Sequence, residues 1–111
     1  MTPDPPSQDL LHDTASAFGM LAATVRLHIM WLLAEGEHDV GTLAEELGQS
    51  VATVSHHLGK LKAAGWVRVR RQGRHRVYLA DDDGVIDIVR RAVAHQQALR
   101  HAPAGRRSRG A

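Results

Sequence analysis

A mainly helical α+β fold, five helices and one two-stranded hairpin, is the architecture that this 111-residue sequence predicts. Three features predict it. Residues 49–66, QSVATVSHHLGKLKAAGW, read as a capped helix that runs directly into a strand. The segment before them steps through apolar residues at helical spacing and stops at a glycine. The segment after them switches to an alternating period.

The central helix is bounded at both ends. Ser50 stands where an N-cap belongs, because its hydroxyl can accept a hydrogen bond from a first-turn amide, and Gly65 stands where a left-handed C-terminal residue is wanted. A helix over about 51–64 follows. Val54, Leu58 and Leu61 share one face, and Ala52, Thr53, Ser55, His56 and Lys60 occupy the other. The first face is core. The second is short, polar and uncharged except for Lys60, which suits base edges in a groove as well as plain solvation.

Taken in order, residues 1–7, rich in proline and polar residues, and residues 102–111, APAGRRSRGA, are expected to be a disordered arm and a disordered basic tail. Leu10, Leu11, Ala15 and Phe18 form an apolar stripe that predicts a short helix over 8–18, broken at Gly19. Residues 21–35 are apolar nearly all round, which predicts the most buried helix, ended by Gly36, with His28 half-buried and hydrogen-bonded rather than a ligand. Val40, Leu43, Ala44 and Leu47 make the next helix, with Asp39 as its cap and Gly48 as its stop. Two short helices then meet across Gly48, Gln49 and Ser50, the mark of a helix-turn-helix whose second member is the recognition helix.

Beyond Gly65, Val67 and Val69 alternate with Arg68 and Arg70, and Val77 and Leu79 with Arg76 and Tyr78, a hairpin turning at Gln72 and Gly73. A two-residue loop would set Val69 opposite Arg76 and mix the faces. The expected register is therefore an odd-length loop, with Val69 opposite Val77 and Val67 opposite Leu79. It also sets Arg70 against Arg76, beside Arg71 and Arg74 at the tip, a repulsion that phosphates would relieve. Basic residues also protect an edge strand from aggregation, but five arginines between 68 and 76 exceed that need.

The last helix spans 85–99, with Asp81, Asp82 and Asp83 at its N-terminal end, where acids suit the helix dipole and cap the first amides. Amphipathic helices at the two ends of so small a chain suit a two-fold homodimer interface. Its candidates are Leu10, Leu11 and Phe18 with Val85, Ile88, Val89, Ala92 and Val93. Such a dimer would set two recognition helices on half-sites about one turn of DNA apart.

At this length the chain holds one domain, over 8–101. With no cysteine, disulfides and thiolate metal or redox sites are excluded. No apolar run approaches the roughly 20 residues of a membrane span and the N-terminus lacks a signal peptide's pattern, which predicts a soluble, cytoplasmic protein with no membrane partner. The net charge of +2 conceals a split: residues 1–50 carry eight acids and one base, Arg26, whereas residues 51–111 carry thirteen bases and four acids. A folded basic half points to a polyanion. Aromatic residues number only four, so stacking on single-stranded bases fits poorly and double-stranded DNA is the expected partner. No Ser-His-Asp set, carboxylate pair or Gly-rich phosphate loop stands out, so an enzyme is not expected.

Across residues 18–79 the sequence resembles, without gaps, the ArsR/SmtB family of bacterial winged helix-turn-helix repressors. The resemblance lies in the Leu-Ala and Thr-x-Arg-Leu entry at Leu21 to Leu27, the Leu-Ala-Glu pattern at Leu43 to Glu45, the Thr-Val-Ser-x-His-Leu run at Thr53 to Leu58, the Leu-x-x-Ala-Gly pattern at Leu61 to Gly65, and the arginine-rich wing. It implies a homodimer with first and last helices at the interface, an operator, and an effector that changes operator affinity. Gln49, Ser50, Thr53, Ser55 and His56 match the family's DNA-reading stretch, and Arg71, Gly73 and Arg74 its wing tip. Thr53, Ser55 and His56 are expected to read bases, while Lys60, Arg68, Arg70, Arg71, Arg74 and Arg76 hold phosphates. His57, which matches the family's histidine before Leu58, is expected to pack or hydrogen-bond rather than touch a base.

The effector is where the chain departs from the family. Arsenic, cadmium and zinc sensors of this type carry Cys-Val-Cys in the first helix of the motif, and Asp39, Val40 and Gly41 stand there instead. The last-helix site of the family is matched by Asp82 and His95, while Gly84 and Ala98 replace its other two ligands. A half-site cannot close a coordination sphere. Eight histidines without cysteine suit nickel, or zinc, better than a soft metal, with Asp82, Asp83, His95, His101 and His12 as candidate ligands beside the plainer reading of capping aspartates and exposed histidines. In size and in its missing ligands the chain also resembles a nickel-linked member of the family. A separate sensory protein is the other route to a signal. The alternative function is a histidine-bearing dimeric module that binds metal or protein without a direct transcriptional role.

Overall fold

A computed structural model describes residues 4–102 of the chain. The elements run α1 (Gln8–Leu21), α2 (Thr24–Glu35), β1 (His38–Asp39), α3 (Val40–Leu47), α4 (Val51–Ala63), β2 (Val67–Gln72), β3 (His75–Ala80) and α5 (Asp83–Arg100). Five helices with an antiparallel wing are the winged helix-turn-helix that the sequence predicts. Of the two expected disordered ends, residues 1–3 and 103–111 lie outside the described residues. Residues 4–7 precede α1, and Ser7 caps it by accepting a hydrogen bond from the Leu10 amide at 3.1 Å. No single described helix is long and apolar enough to cross a membrane.

One cluster forms the core. Ile29, Met30 and Leu33 of α2 meet Leu43 and Ala44 of α3, Val54, Leu58 and Leu61 of α4, Trp66 and Val67 at the start of the wing, and Val85 and Val89 of α5. Only one side of α2 is therefore fully buried. Of its other apolar residues, Leu27 and Trp31 line a shallow groove against α5, and His28 beside them is exposed, not half-buried as expected.

The first helical boundary also differs from expectation. α1 continues through Gly19 to Leu21, and α2 begins at Thr24 after an extended Ala23. A glycine inside a helix costs about 1 kcal/mol. Packing of Ala17, Met20 and Leu21 against the core offsets that cost and carries the helix on.

The turn of the motif is built as the sequence predicts. The Asp39 carboxylate accepts from the Thr42 amide at 2.8 Å and caps α3, an interaction that holds the Asp39 pKa below its ordinary 3.8. Gly48 ends α3 at φ +63 and its amide bonds back to the carbonyls of Ala44 and Glu45. A β-carbon at this left-handed position would be strained, so the sharp reversal into α4 needs glycine. Ser50 then caps α4, its Oγ accepting from the Thr53 amide at 3.1 Å. Ser50→Ala is expected to lower stability by about 1 kcal/mol. Urea denaturation would read this as a lower midpoint with an unchanged slope, and an unchanged midpoint would refute the cap's contribution.

The wing corrects the predicted register. β3 is the central strand of a three-stranded antiparallel sheet, ordered β1-β3-β2. Gln72 pairs with His75, so the loop has two residues but turns at Gly73 and Arg74, not at Gln72 and Gly73 as expected, which sets Val69 opposite Tyr78, Arg70 opposite Val77 and Arg71 opposite Arg76. Gly73, at φ +62, supplies the positive first position of such a hairpin turn. Mixed faces cost little because both faces of β3 are covered. Tyr78 and Ala80 pack on the core cluster, while Val77 is buried on the opposite face beside Asp39 and Thr42. The two-residue strand β1, too short to carry a sequence period, pairs on the other edge of β3 and leads straight into α3, whose Thr42 stands over Val77 on that second face.

Candidate nucleic-acid interface

The core anchors α4 by Val54, Leu58 and Leu61, each fully buried, and this leaves the opposite face in solvent. Gln49, Ser50, Ala52, Ser55, His56 and Lys60 are exposed, with Thr53 at their edge. The Ser50 hydroxyl donates to Thr53 Oγ1 at 2.9 Å, so the Thr53 hydroxyl proton is left to point outward as a donor. Val51 is 51% exposed at the same end of the helix. Sequence reasoning passed over Val51 because it continues the spacing of the buried stripe, which here runs past the edge of the core.

Five wing arginines divide into two sets. Arg68 is paired with Asp81, Nε to Oδ1 at 3.3 Å, and Arg70 makes a two-point ion pair with Glu37. Both pairs are substantially exposed, so each contributes little to stability, but they place a carboxylate against two of the five cations. Arg71, Arg74 and Arg76, at or beside the turn, have no carboxylate within ion-pair distance among the described residues. Arg71 and Arg76 are cross-strand partners, so the expected like-charge pair exists one residue nearer the tip than Arg70. His75 in the same hairpin approaches Asp39, Nδ1 to Oδ2 at 3.8 Å.

His57 is turned away from the free face. Its Nδ1 lies 3.2 Å from Arg26 Nη1 and its ring stands edge-on to that of His56, with centroids 5.6 Å apart. Burial, then the positive charges of Arg26, His56 and Lys60, hold the His57 pKa below its ordinary 6.5. This is the hydrogen-bonding role that the sequence predicts for it.

The structure does not gather the candidate metal ligands. Asp82 caps α5, its Oδ1 accepting from the Val85 amide at 3.0 Å. His95 lies thirteen residues along the helix, roughly 20 Å away at 1.5 Å per residue, and His101 follows the last turn. His12 is exposed on α1. Among the described residues of one protomer, no three His, Asp or Glu side chains are placed to hold a metal ion.

The expected dimer residues also fall into two groups. Leu10, Leu11 and Phe18 of α1 are 55%, 47% and 57% exposed, and Ile88 of α5 is 43% exposed. Ala92 is exposed beside Ile88 and Val93 is half-buried along the groove with Leu27. Val85 and Val89, expected at the interface, face inward and join the protomer's own core. The apolar stripe of α5 is wider than one contact face, and spacings of four divide Val85 and Val89 from Ile88 and Ala92.

Comparison with known proteins gives this geometry a family. The model for the bacterial regulatory protein, arsR family, matches residues 12–69. The chain is 38% identical over 91 residues to the HTH-type transcriptional regulator KmtR of Mycobacterium tuberculosis, covering 82% of this chain and 70% of that protein. It is 37% identical over 88 residues to a cadmium resistance transcriptional regulatory protein CadC homolog of Staphylococcus aureus, covering 78% and 73%. Among solved structures, the homodimeric winged helix-turn-helix DNA-binding domain of a possible ArsR-family transcriptional regulator from Mycobacterium bovis superposes with a TM-score of 0.72 at 31% identity, covering 92% of this chain and 96% of that one. With this fold and these relatives, the chain belongs to the arsR family of bacterial regulatory proteins and is a DNA-binding transcriptional regulator, not an enzyme.

Proposed function

We propose that the chain acts as a homodimer that reads a two-fold operator and changes its grip on it in response to a metal, nickel before zinc, either directly or through a separate sensory protein. The observation that carries the operator reading is the free polar face of α4 in a fold whose wing tip carries three arginines that meet no carboxylate among the described residues. In this reading Gln49, Ser50, Thr53, Ser55 and His56 lie along base edges in the major groove, and Val51 meets a thymine methyl. Lys60 with Arg71, Arg74 and Arg76 holds phosphates, while Arg68 and Arg70 join them only when Asp81 and Glu37 release them. Gly73 lets the backbone of the wing tip approach the duplex. The partner's α1 and the Ile88–Ala92 face of α5 supply the second copy with an apolar contact.

A metal effector is supported by eight histidines in a chain without cysteine and by the cadmium-resistance homologue among the relatives. Because Asp82 and His95 stand far apart along α5, a site built on them needs the two copies of α5 to run antiparallel. The decisive measurement is fluorescence anisotropy on DNA from the chain's own upstream region and on scrambled DNA, before and after nickel or zinc. Preference for its own DNA, released by a metal, is the expected result. Preference that ignores metal moves sensing to a partner protein, and the absence of any preference would remove the operator reading.

A further inference from the structure

We propose that Arg26 is a positioning residue for the recognition helix, holding α4 through His57 and tying it to the end of α1, so that DNA discrimination falls when His57 takes up a proton. This rests on the operator reading above. Arg26 is the only lysine or arginine among the first 50 residues and it is half-buried at the start of α2. Its Nε donates to the Met20 carbonyl near the end of α1 at 2.8 Å, and its Nη1 reaches His57 Nδ1 at 3.2 Å. One planar fork thus joins three helices, which a lysine's single ammonium could not do with both bonds in place.

The chemistry of that contact decides the protonation state of His57. A guanidinium only donates, so Nδ1 must accept, and the imidazole is neutral with its proton on Nε2. The charged or titratable groups facing His57 are Arg26 from α2 and His56 and Lys60 from its own helix; α3 and β2, which also pack on α4, set none against it. Protonation would put a second donor on Nδ1 in front of a cation, and the bond cannot survive it. The apolar stripe of α4, Val54, Leu58 and Leu61, would stay docked in the core, while the polar tie beside it that fixes the helix about its own axis would be gone.

The direction of the pH effect follows. Because the folded protein holds His57 below its ordinary 6.5, the stability due to the neutral form is complete above that value and is lost as pH falls from it through the lower folded value. The discrimination of α4 between sequences follows the same window.

The test uses the full chain in two measurements. Nitrogen-15 NMR of the histidine rings should show His57 as the Nε2–H tautomer near neutrality, titrating below the ordinary range, with the α4 backbone amides shifting in step. Anisotropy on upstream and scrambled DNA at about pH 7.5 and about pH 5.5 should then show wild-type discrimination falling roughly tenfold more than that of His57→Asn, whose Oδ1 can accept from Arg26 and cannot protonate. Both proteins carry the same His56, so any contribution from that ring is common to the two and cancels. Arg26→Lys, which keeps the charge and loses the fork, should lower discrimination at neutral pH. An Nδ1–H tautomer, α4 amides indifferent to the His57 titration, or equal pH losses in wild type and His57→Asn would overturn the proposal. A wild type without preference for its own DNA at neutral pH would overturn the operator reading instead, and the NMR measurement would still decide the Arg26–His57 tie.

Discussion

Leu58→Ala is expected to lower stability by about 2–5 kcal/mol, enough to remove a large part of the roughly 5–15 kcal/mol typical of a small domain. Leu58 is fully buried at the middle of α4, between Val54 and Leu61, where α2, α3 and α4 converge. Removing its branched end deletes apolar packing and leaves a space that the surrounding helices cannot collapse to fill. Urea denaturation followed by circular dichroism should show the midpoint falling steeply, and DNA binding should fall with it because α4 loses its seat. Val51→Ala, at an exposed position seven residues earlier, should change stability by less than about 0.5 kcal/mol. A Leu58→Ala midpoint as close to wild type as that of Val51→Ala would show that α4 is docked by something other than its apolar stripe.

Arg71→Ala combined with Arg74→Ala is expected to weaken binding to operator and random DNA alike, by roughly ten- to thirtyfold at moderate salt, if each exposed arginine contributes about 1 kcal/mol. Removing two phosphate-binding cations should also reduce the slope of log affinity against log salt by about two. The matching pair Arg68→Ala and Arg70→Ala removes the same formal charge. Its effect should be smaller, because Asp81 and Glu37 already neutralise those side chains and, once freed, would repel the duplex less than two wing-tip cations attract it. Thr53→Ala or His56→Ala should instead erode the ratio between operator and random DNA at nearly constant salt slope. A salt titration on both DNAs separates the two classes, and indistinguishable effects from the tip pair and the base pair of arginines would undo the division drawn from the ion pairs.

Much of the candidate interface was legible without coordinates because it is written in local signals. Asp39, Gly48, Ser50, Gly65 and Asp82 each act on an amide or carbonyl within a few residues, so their roles as caps and stops could be read from neighbours alone. The apolar stripe of α4 likewise told which face would be free. The wing register could not be read this way. It depended on whether both faces of β3 would be covered, and the strand that pairs on the edge of β3 and brings the start of α3 beside Val77, His38–Asp39, is too short to announce itself by period.

What the sequence by itself determined is the order of the five helices and the wing hairpin, the capped recognition helix, and the concentration of positive charge in the half of the chain that carries it. What only the tertiary structure decided is how that charge is used. Arg70 meets Glu37 across 33 residues, and Arg26 meets His57 across 31. Such partners are chosen by the packing of helices and sheet rather than by spacing along the chain. The same packing that leaves the wing-tip arginines without these carboxylates also turns His57 toward Arg26 and divides α5 into a core face and an exposed one.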